Sequence, residues 1–190
     1  MAGYNGHMTE LGVLASELGV HERTLRRAVS EGALHGVRPT ARTLALPLSE
    51  RQYVRRKWPL LSRLREALRT EQNVRFALLF GSAATGSDTP GSDVDVLVDL
   101  RDTSLDRMVD LSSKLTRIAG RRVDVVRLQD AEAEPAFLLN VVADGRVLVD
   151  RENRWARLRR HESTRSSQGQ LQHAMRARAA LSGIDRLLGA

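Results

Sequence analysis

Apolar positions along the chain follow two rhythms. From Leu11 the spacing is helical, with Leu14, Leu18, Val20 and Leu25 following, and small Ala15 and Ala28 on the same face. Thr9 is placed to cap a first helix through LGVLASEL, Gly19 to end it, and a second helix starts near His21 and runs through ERTLRRAVSEG. ALHGVRP and RTLALP then read as two short β-prone runs around a Pro39-Thr40-Ala41 turn. Ser49 with Gln52 has the form of a capping box for a helix through RQYVRRK, which Pro59 interrupts or restarts before LLSRLREALRTEQ. Leu60, Leu61, Leu64 and Leu68 share one face of that second stretch, as a connecting helix packed on a neighbour would need. From Val74 the rhythm shortens. VRFALLF, SDVDVLVDL, RRVDVVRL and RVLVD read as strands, with helices from Ser104 to Ala119 and from Glu134 to Asp144 between the later ones. The expected class is α+β: an N-terminal helical unit (1–48), connecting helices (49–73), a small mixed-sheet domain (74–150) and a helical tail (151–190).

The N-terminal pattern is that of a helix-turn-helix. Crossed helices need small side chains where they touch, which Ala15 and Ala28 supply, and a reversal in left-handed conformation, which Gly19 supplies. The second helix then turns His21, Glu22, Arg23, Arg26 and Arg27 to solvent, where a recognition helix would meet a major groove. The two β-prone runs resemble the wing of a winged helix-turn-helix, with Arg38 and Arg42 near its tip against phosphates. Double-stranded operator DNA is the expected partner, and a module used only for protein contacts is the alternative.

Charge is distributed unevenly. Residues 1–73 carry 12 basic against 7 acidic side chains, 74–150 carry 9 against 13, and 151–190 carry 9 against 3. Basic flanks around an acidic middle fit ends that meet a polyanion and a centre that gathers carboxylates for a local purpose. Hydrophobic residues at 42% and charged residues at 28% are ordinary globular values, so a disordered or collagen-like chain is excluded. The absence of cysteine excludes thiolate metal sites, disulfides and cysteine nucleophiles. A cytoplasmic location is expected, because no signal-like or membrane-length apolar stretch occurs.

The acidic middle contains the candidate chemistry. The run Val74 to Phe80 feeds into Gly81-Ser82-Ala83-Ala84-Thr85-Gly86, a strand ending in a glycine turn. Asp93 and Asp95 follow two apart in a β-prone run, so both carboxylates project from one face and repel unless a cation neutralises them. Asp124, flanked by valines, offers a third carboxylate. This spacing points to magnesium with oxygen ligands in a two-metal site. Gly81 would let a phosphate approach the backbone, with the Ser82 hydroxyl and following N–H groups donating to it.

The string GSAATGSDTPGSDVDVLV resembles the signature of the DNA polymerase β-like nucleotidyltransferases, most of all their minimal (MNT) branch. Gly81, Ser82, Gly86, Ser92, Asp93 and Asp95 match that signature, and EPAFLLNVVADGRVLVD is similar to the closing helix and strand of the branch. The resemblance implies transfer of a nucleoside monophosphate from ATP or another nucleoside triphosphate to a hydroxyl, with Mg2+. Asp93, Asp95 and Asp124 would be the metal and catalytic residues, and Gly81, Ser82, Gly86 and Ser92 would contact the nucleotide. Many members carry an arginine just before the second glycine, where this chain has Thr85. Minimal nucleotidyltransferases often act as the antitoxin of a toxin–antitoxin pair, which implies a protein toxin partner.

Other motifs fail on chemistry. The GSAATGS spacing is that of a P-loop, but Ser87 stands where the phosphate-reaching lysine belongs. His21-Glu22 and His161-Glu162 lack the second histidine of a zinc-protease helix. Asp88, Asp99 and Asp102 read as ordinary loop residues. STRSSQGQ reads as a linker, and Leu171, Ala174, Arg178 and Leu181 recur at helical spacing, offering a homodimer or partner contact, with a solvated tail as the alternative. Three readings stay open: a DNA-binding transferase acting on a protein or RNA hydroxyl; a repressor or masking antitoxin with a catalytically silent domain; and an antibiotic-modifying nucleotidyltransferase.

Overall fold

The computed structural model describes residues 9–40 and 43–160. Helix α1 (Glu10–Glu17) begins where expected, the Thr9 hydroxyl accepting the Gly12 N–H at 3.0 Å. The chain reverses at Gly19, whose φ of +66° suits a residue without Cβ, and enters α2 (Glu22–Ser30). Leu11, Leu14 and Ala15 of α1 and Leu25 and Ala28 of α2 are all buried, so the apolar spacing and small contact residues act as the sequence implies. The two β-prone runs do not become strands. They meet only in an isolated bridge of Val37 with Ala45, bonded in both directions at 2.9 and 3.0 Å. Thr40 hydrogen-bonds Thr43 across the turn, so the loop is closed by hydroxyls rather than by a ladder.

The connecting segment departs from expectation in two ways. α3 (Leu48–Arg69) is one helix of 22 residues, with Pro47 at its N-cap and no side-chain capping bond, so Ser49 lies inside it. Pro59 neither interrupts nor restarts it. A mid-helix proline costs about 3 kcal/mol. Here Tyr53, Val54 and Trp58 before it and Leu61, Leu64 and Leu68 after it are buried in the same core, and that burial offsets the cost.

The remainder builds a mixed sheet. β1 (Val74–Phe80) is followed by α4 (Gly81–Thr85), β2 (Val94–Leu100), α5 (Leu105–Ala119), β3 (Val123–Arg127), α6 (Leu128–Glu132), α7 (Pro135–Asp144) and β4 (Arg146–Asp150). Strand order is β3-β2-β1-β4; β1 pairs antiparallel with both β2 and β4, and β2 pairs parallel with β3. The parallel pair is bridged by α5, as a crossover requires. Only the single turn of α6 was not legible as an element. β1 and β2 are central and covered on both faces, which is why they read as apolar runs rather than as alternation.

One apolar core runs from Leu11, Leu14 and Leu25 through the α3 leucines to Val96 and Leu148. Residues up to Arg154 form one compact unit and a second begins at Trp155, of which residues 155–160 are helical. Arg42, STRSSQGQ and Leu171, Ala174, Arg178 and Leu181 lie outside the described residues. Among the described residues no helix is long and apolar enough to cross a membrane.

Candidate active site

The register of three strands assembles the carboxylates. Asp95 in β2 stands opposite Phe80 across the antiparallel pair and opposite Asp124 across the parallel pair. Asp93 lies two residues earlier, just before β2 begins, and is close enough for its charge to act on Asp95. Burial pushes the Asp95 carboxyl above its ordinary value, and the charges of Asp124 and Asp93 push it further. The three side chains therefore feel each other across the strand ends. Arg122, unremarked in the sequence, lies among them: its Nε is 2.9 Å from Asp124 Oδ1 and 3.9 Å from Asp93 Oδ2.

β1 ends at Gly81, which has φ +67°. A Cβ there would stand 2.5 Å from Asp95 Oδ2, so only glycine lets the carboxylate lie against the turn. Ser82 follows in α4, half-buried; its carbonyl accepts the N–H groups of Gly86 and Ser87, and its hydroxyl has no hydrogen-bond partner among the described residues. Gly86 ends α4 at φ +80°, where a Cβ would stand 3.0 Å from Tyr53 Cδ2 and 3.4 Å from Arg56 Nη2. The exposed Arg56 guanidinium thus borders the turn that carries Thr85. The Thr85 hydroxyl pairs with Ser87 at 2.9 Å, and the Ser92 hydroxyl with the Thr89 backbone and side chain at 3.0 Å.

Asp88 is not an ordinary loop residue. Its side chain is 1% exposed and lies 2.5 Å from both Lys57 Nζ and Arg121 Nη2. Burial raises its carboxyl, but hydrogen bonds and charge from the two cations outweigh burial and hold it below the usual aspartate value. The clamp ties the loop between the glycine turn and Asp93 to α3 and to the approach to β3. Asp99 is likewise paired, with Arg75 at 2.5 Å and Arg154 at 2.6 Å, whereas Asp102 accepts the Ser104 N–H in a surface turn. Behind α4 the buried Arg146 donates to the Ala84 carbonyl at 2.6 Å, grips Glu50 through both terminal nitrogens at 2.6 and 2.9 Å, and lies 3.4 Å over the Tyr53 ring. Glu50 also accepts the His35 N–H. The back of the glycine turn is thereby anchored to α3, β4 and the loop that follows α2. None of the pairs made by Asp88, Asp99, Arg146 and Glu50 shows in the sequence, since the partners stand 15 to 96 residues apart.

Fit to a cation can be judged from the residues. Two carboxylates, Asp93 and Asp124, beside a destabilised Asp95 are the oxygen ligands that a hard divalent ion takes. As they stand, among the described residues no three Asp, Glu, His or Cys side chains are gathered closely enough to hold one. Arg122 supplies the positive charge instead, from an exposed and rotatable position.

On the N-terminal side, His21, Arg23, Arg26 and Arg27 are exposed on or at the start of α2, and Arg38 is exposed in the loop. Arg26 is paired with Glu22 at 2.5 Å and Arg27 with Glu31 at 2.7 Å. Glu22 also accepts the Thr9 hydroxyl.

A mixed sheet whose first strand turns through Gly-Ser toward carboxylates on the next two strands defines a nucleotidyltransferase-like domain. Residues 62–154 match the family model described as polymerase beta, nucleotidyltransferase. No curated protein matches the sequence. Among solved structures the chain is similar to a toxin–antitoxin with AMP-PNP, at 24% identity, covering 65% of this chain and 97% of that one with a TM-score of 0.45. It is also similar to a chain of a tri-AMPylated Shewanella oneidensis HEPN toxin in complex with MNT antitoxin, at 22% identity over 67% and 98% with a TM-score of 0.43. A MntA-HepT toxin–antitoxin structure gives 22% identity over 66% and 96% with a TM-score of 0.41.

Proposed function

We propose that this chain is a magnesium-dependent nucleotidyltransferase of a toxin–antitoxin pair, transferring a nucleoside monophosphate from a triphosphate to a hydroxyl of its protein partner or of RNA. The observation that carries the reading is the register of Asp95, set between Phe80-Gly81 and Asp124 with Asp93 beside it. Magnesium held by Asp93, Asp95 and Asp124 would supply charge neutralisation at the phosphates. Gly81 leaves the backbone open to the triphosphate, and the free Ser82 hydroxyl donates to a phosphate oxygen. Arg56, without an ion-pair partner among the described residues, provides positive charge beside Gly86 where Thr85 provides none. Arg122 swings from Asp124 as the site fills. Asp124 then takes the proton of the acceptor hydroxyl, whose oxygen bonds to the α-phosphorus while the bond to the bridging oxygen breaks and pyrophosphate leaves.

The solved toxin–antitoxin complexes make a protein partner the first acceptor to try. The chain is incubated with its genomic neighbour, magnesium and each α-labelled nucleoside triphosphate, beside Asp93→Asn and Asp95→Asn controls. Label on the partner that both controls abolish is the expected result; label on neither protein nor RNA with any nucleotide overturns the reading. Arg122 also favours a second reading, a masking antitoxin or repressor with a silent site, because a cation already pairs with Asp124. Label-free partner protection would support it.

The α1–α2 pair is proposed to hold operator DNA through Arg23, Arg26 and Arg27, with Arg38 on the flanking phosphates. Exposed arginines on one helix behind a glycine turn support this. Replacing Arg26 and Arg27 by Ala abolishes a salt-sensitive shift of the promoter DNA; an unchanged shift removes the proposal.

A further inference from the structure

Four arginines line a cavity of about 310 Å3 between α2 and α3: Arg23, Arg27, Arg65 and Arg69, with Trp58 among the other lining residues. That volume is at the lower end for small-molecule sites, about 300–1,000 Å3. The charge around it is unbalanced. Arg27, Arg65 and Arg69 all share the single carboxylate of Glu31, Arg27 at 2.7 Å and Arg69 at 3.6 Å, with Arg65 in direct hydrogen bond. Arg23 has no ion-pair partner among the described residues. Most telling is Arg65: its side chain is 8% exposed, yet its Nη1 is buried with no hydrogen-bond partner. A buried guanidinium nitrogen left without an acceptor is costly, and a small turn of the side chain toward an oxyanion in the cavity would satisfy it. Burial, with like charge from Arg69 and Arg27, holds the Arg65 pKa below its usual value even though Glu31 is beside it.

We propose that this cavity is a second anion site, taking a small polyphosphate such as free pyrophosphate or the phosphate tail of a nucleotide. Four cations against one carboxylate call for more than one negative charge, and planar guanidinium forks match phosphate oxygens in pairs. No residue of the cavity belongs to the carboxylate cluster at Asp93, Asp95 and Asp124. Occupancy would neutralise Arg23 and Arg27 on α2, so the ligand would weaken any polyanion binding by that helix.

The test uses the full chain carrying Asp93→Asn and Asp95→Asn, without metal or DNA, so that the carboxylate site contributes nothing. Pyrophosphate is titrated calorimetrically at constant ionic strength. One-to-one binding is expected, weakened about tenfold by Arg69→Ala as one charge-assisted contact is removed. Arg65→Met abolishes it. Arg63→Ala, an equal change of charge elsewhere on α3, leaves it intact; because Arg69 is a surface residue, the comparison stands even if Arg65→Met fails to fold. No binding by the parent chain, or equal weakening by Arg63→Ala and Arg69→Ala, overturns the proposal. So does a chain that ignores pyrophosphate but loses duplex DNA on Arg69→Ala, which would make the cavity part of a DNA interface. Loss of transfer activity alone leaves this result untouched.

Discussion

The strand ends at Asp95 and the cleft between α2 and α3 are opposite in sign and alike in design. At the first, three carboxylates face one exposed arginine; at the second, three arginines share one glutamate. Neither cluster is neutral, and like charges held together cost stability unless something binds. The difference lies in what holds them. The carboxylates are fixed by backbone register, Asp95 opposite Asp124 on hydrogen-bonded strands, whereas the arginines reach the cleft on long side chains from two helices. Frustrated charge on a rigid frame suits chemistry, which needs atoms placed to a fraction of an ångström; frustrated charge on flexible stems suits recognition.

The largest effect that would break this contrast is on transfer. Asp95→Asn lowers nucleotide transfer by about three orders of magnitude, comparable to the loss of a central electrostatic group elsewhere. Because burial and two like charges already disfavour that carboxylate, the same change leaves the melting temperature no lower; a destabilised variant would mean that Asp95 is structural.

Arg146→Ala comes next. It strands the buried carboxylate of Glu50 and frees the Ala84 carbonyl behind the glycine turn, so urea unfolding should show a loss of about 4 kcal/mol. A loss below 1 kcal/mol, the scale of a surface pair, would show that the anchor is dispensable.

The Asp88 clamp sharpens the contrast through pH. Its folded carboxyl is held below the ordinary aspartate value, so its stabilisation is fully present above that value and is lost as pH falls through the depressed one. Asp88→Asn costs about 2 kcal/mol at neutral pH by leaving Lys57 and Arg121 unpaired. In strong acid the gap between variant and parent closes in urea titrations; a constant gap would count against the clamp.

The smallest effect is at Arg26. Its pair with Glu22 is an exposed contact one helical turn apart, so Arg26→Ala changes stability by only about 0.4 kcal/mol. Any larger loss would mean that Arg26 supports the fold rather than standing ready for a partner.

Local rules made much of the molecule legible. Thr9 caps α1, Gly19 reverses the chain, and β1 through Phe80 runs into the Gly81 turn, because capping, left-handed turns and apolar runs depend on near neighbours. That Asp93 and Asp95 are near neighbours and that Asp124 lies on a strand were legible, because both follow from spacing a few residues long. Pro59 was misread because its helix is held by burial of Trp58, Leu61 and Leu64, which local propensity does not contain. Asp88 was misread because its two cations come from Lys57 and Arg121, far away in the chain.

The amino-acid order alone determined α1, α2, the four strands of the sheet and the glycine turn, since each follows from steric preferences and periodicities a few residues long. The tertiary structure decided that Asp124 lies beside Asp95, that Arg122 lies among the carboxylates, that Arg146 braces the turn and that three arginines meet over Glu31. Such meetings depend on which strands pair and which helices cross, and those choices are made by burying one shared core rather than by any local signal.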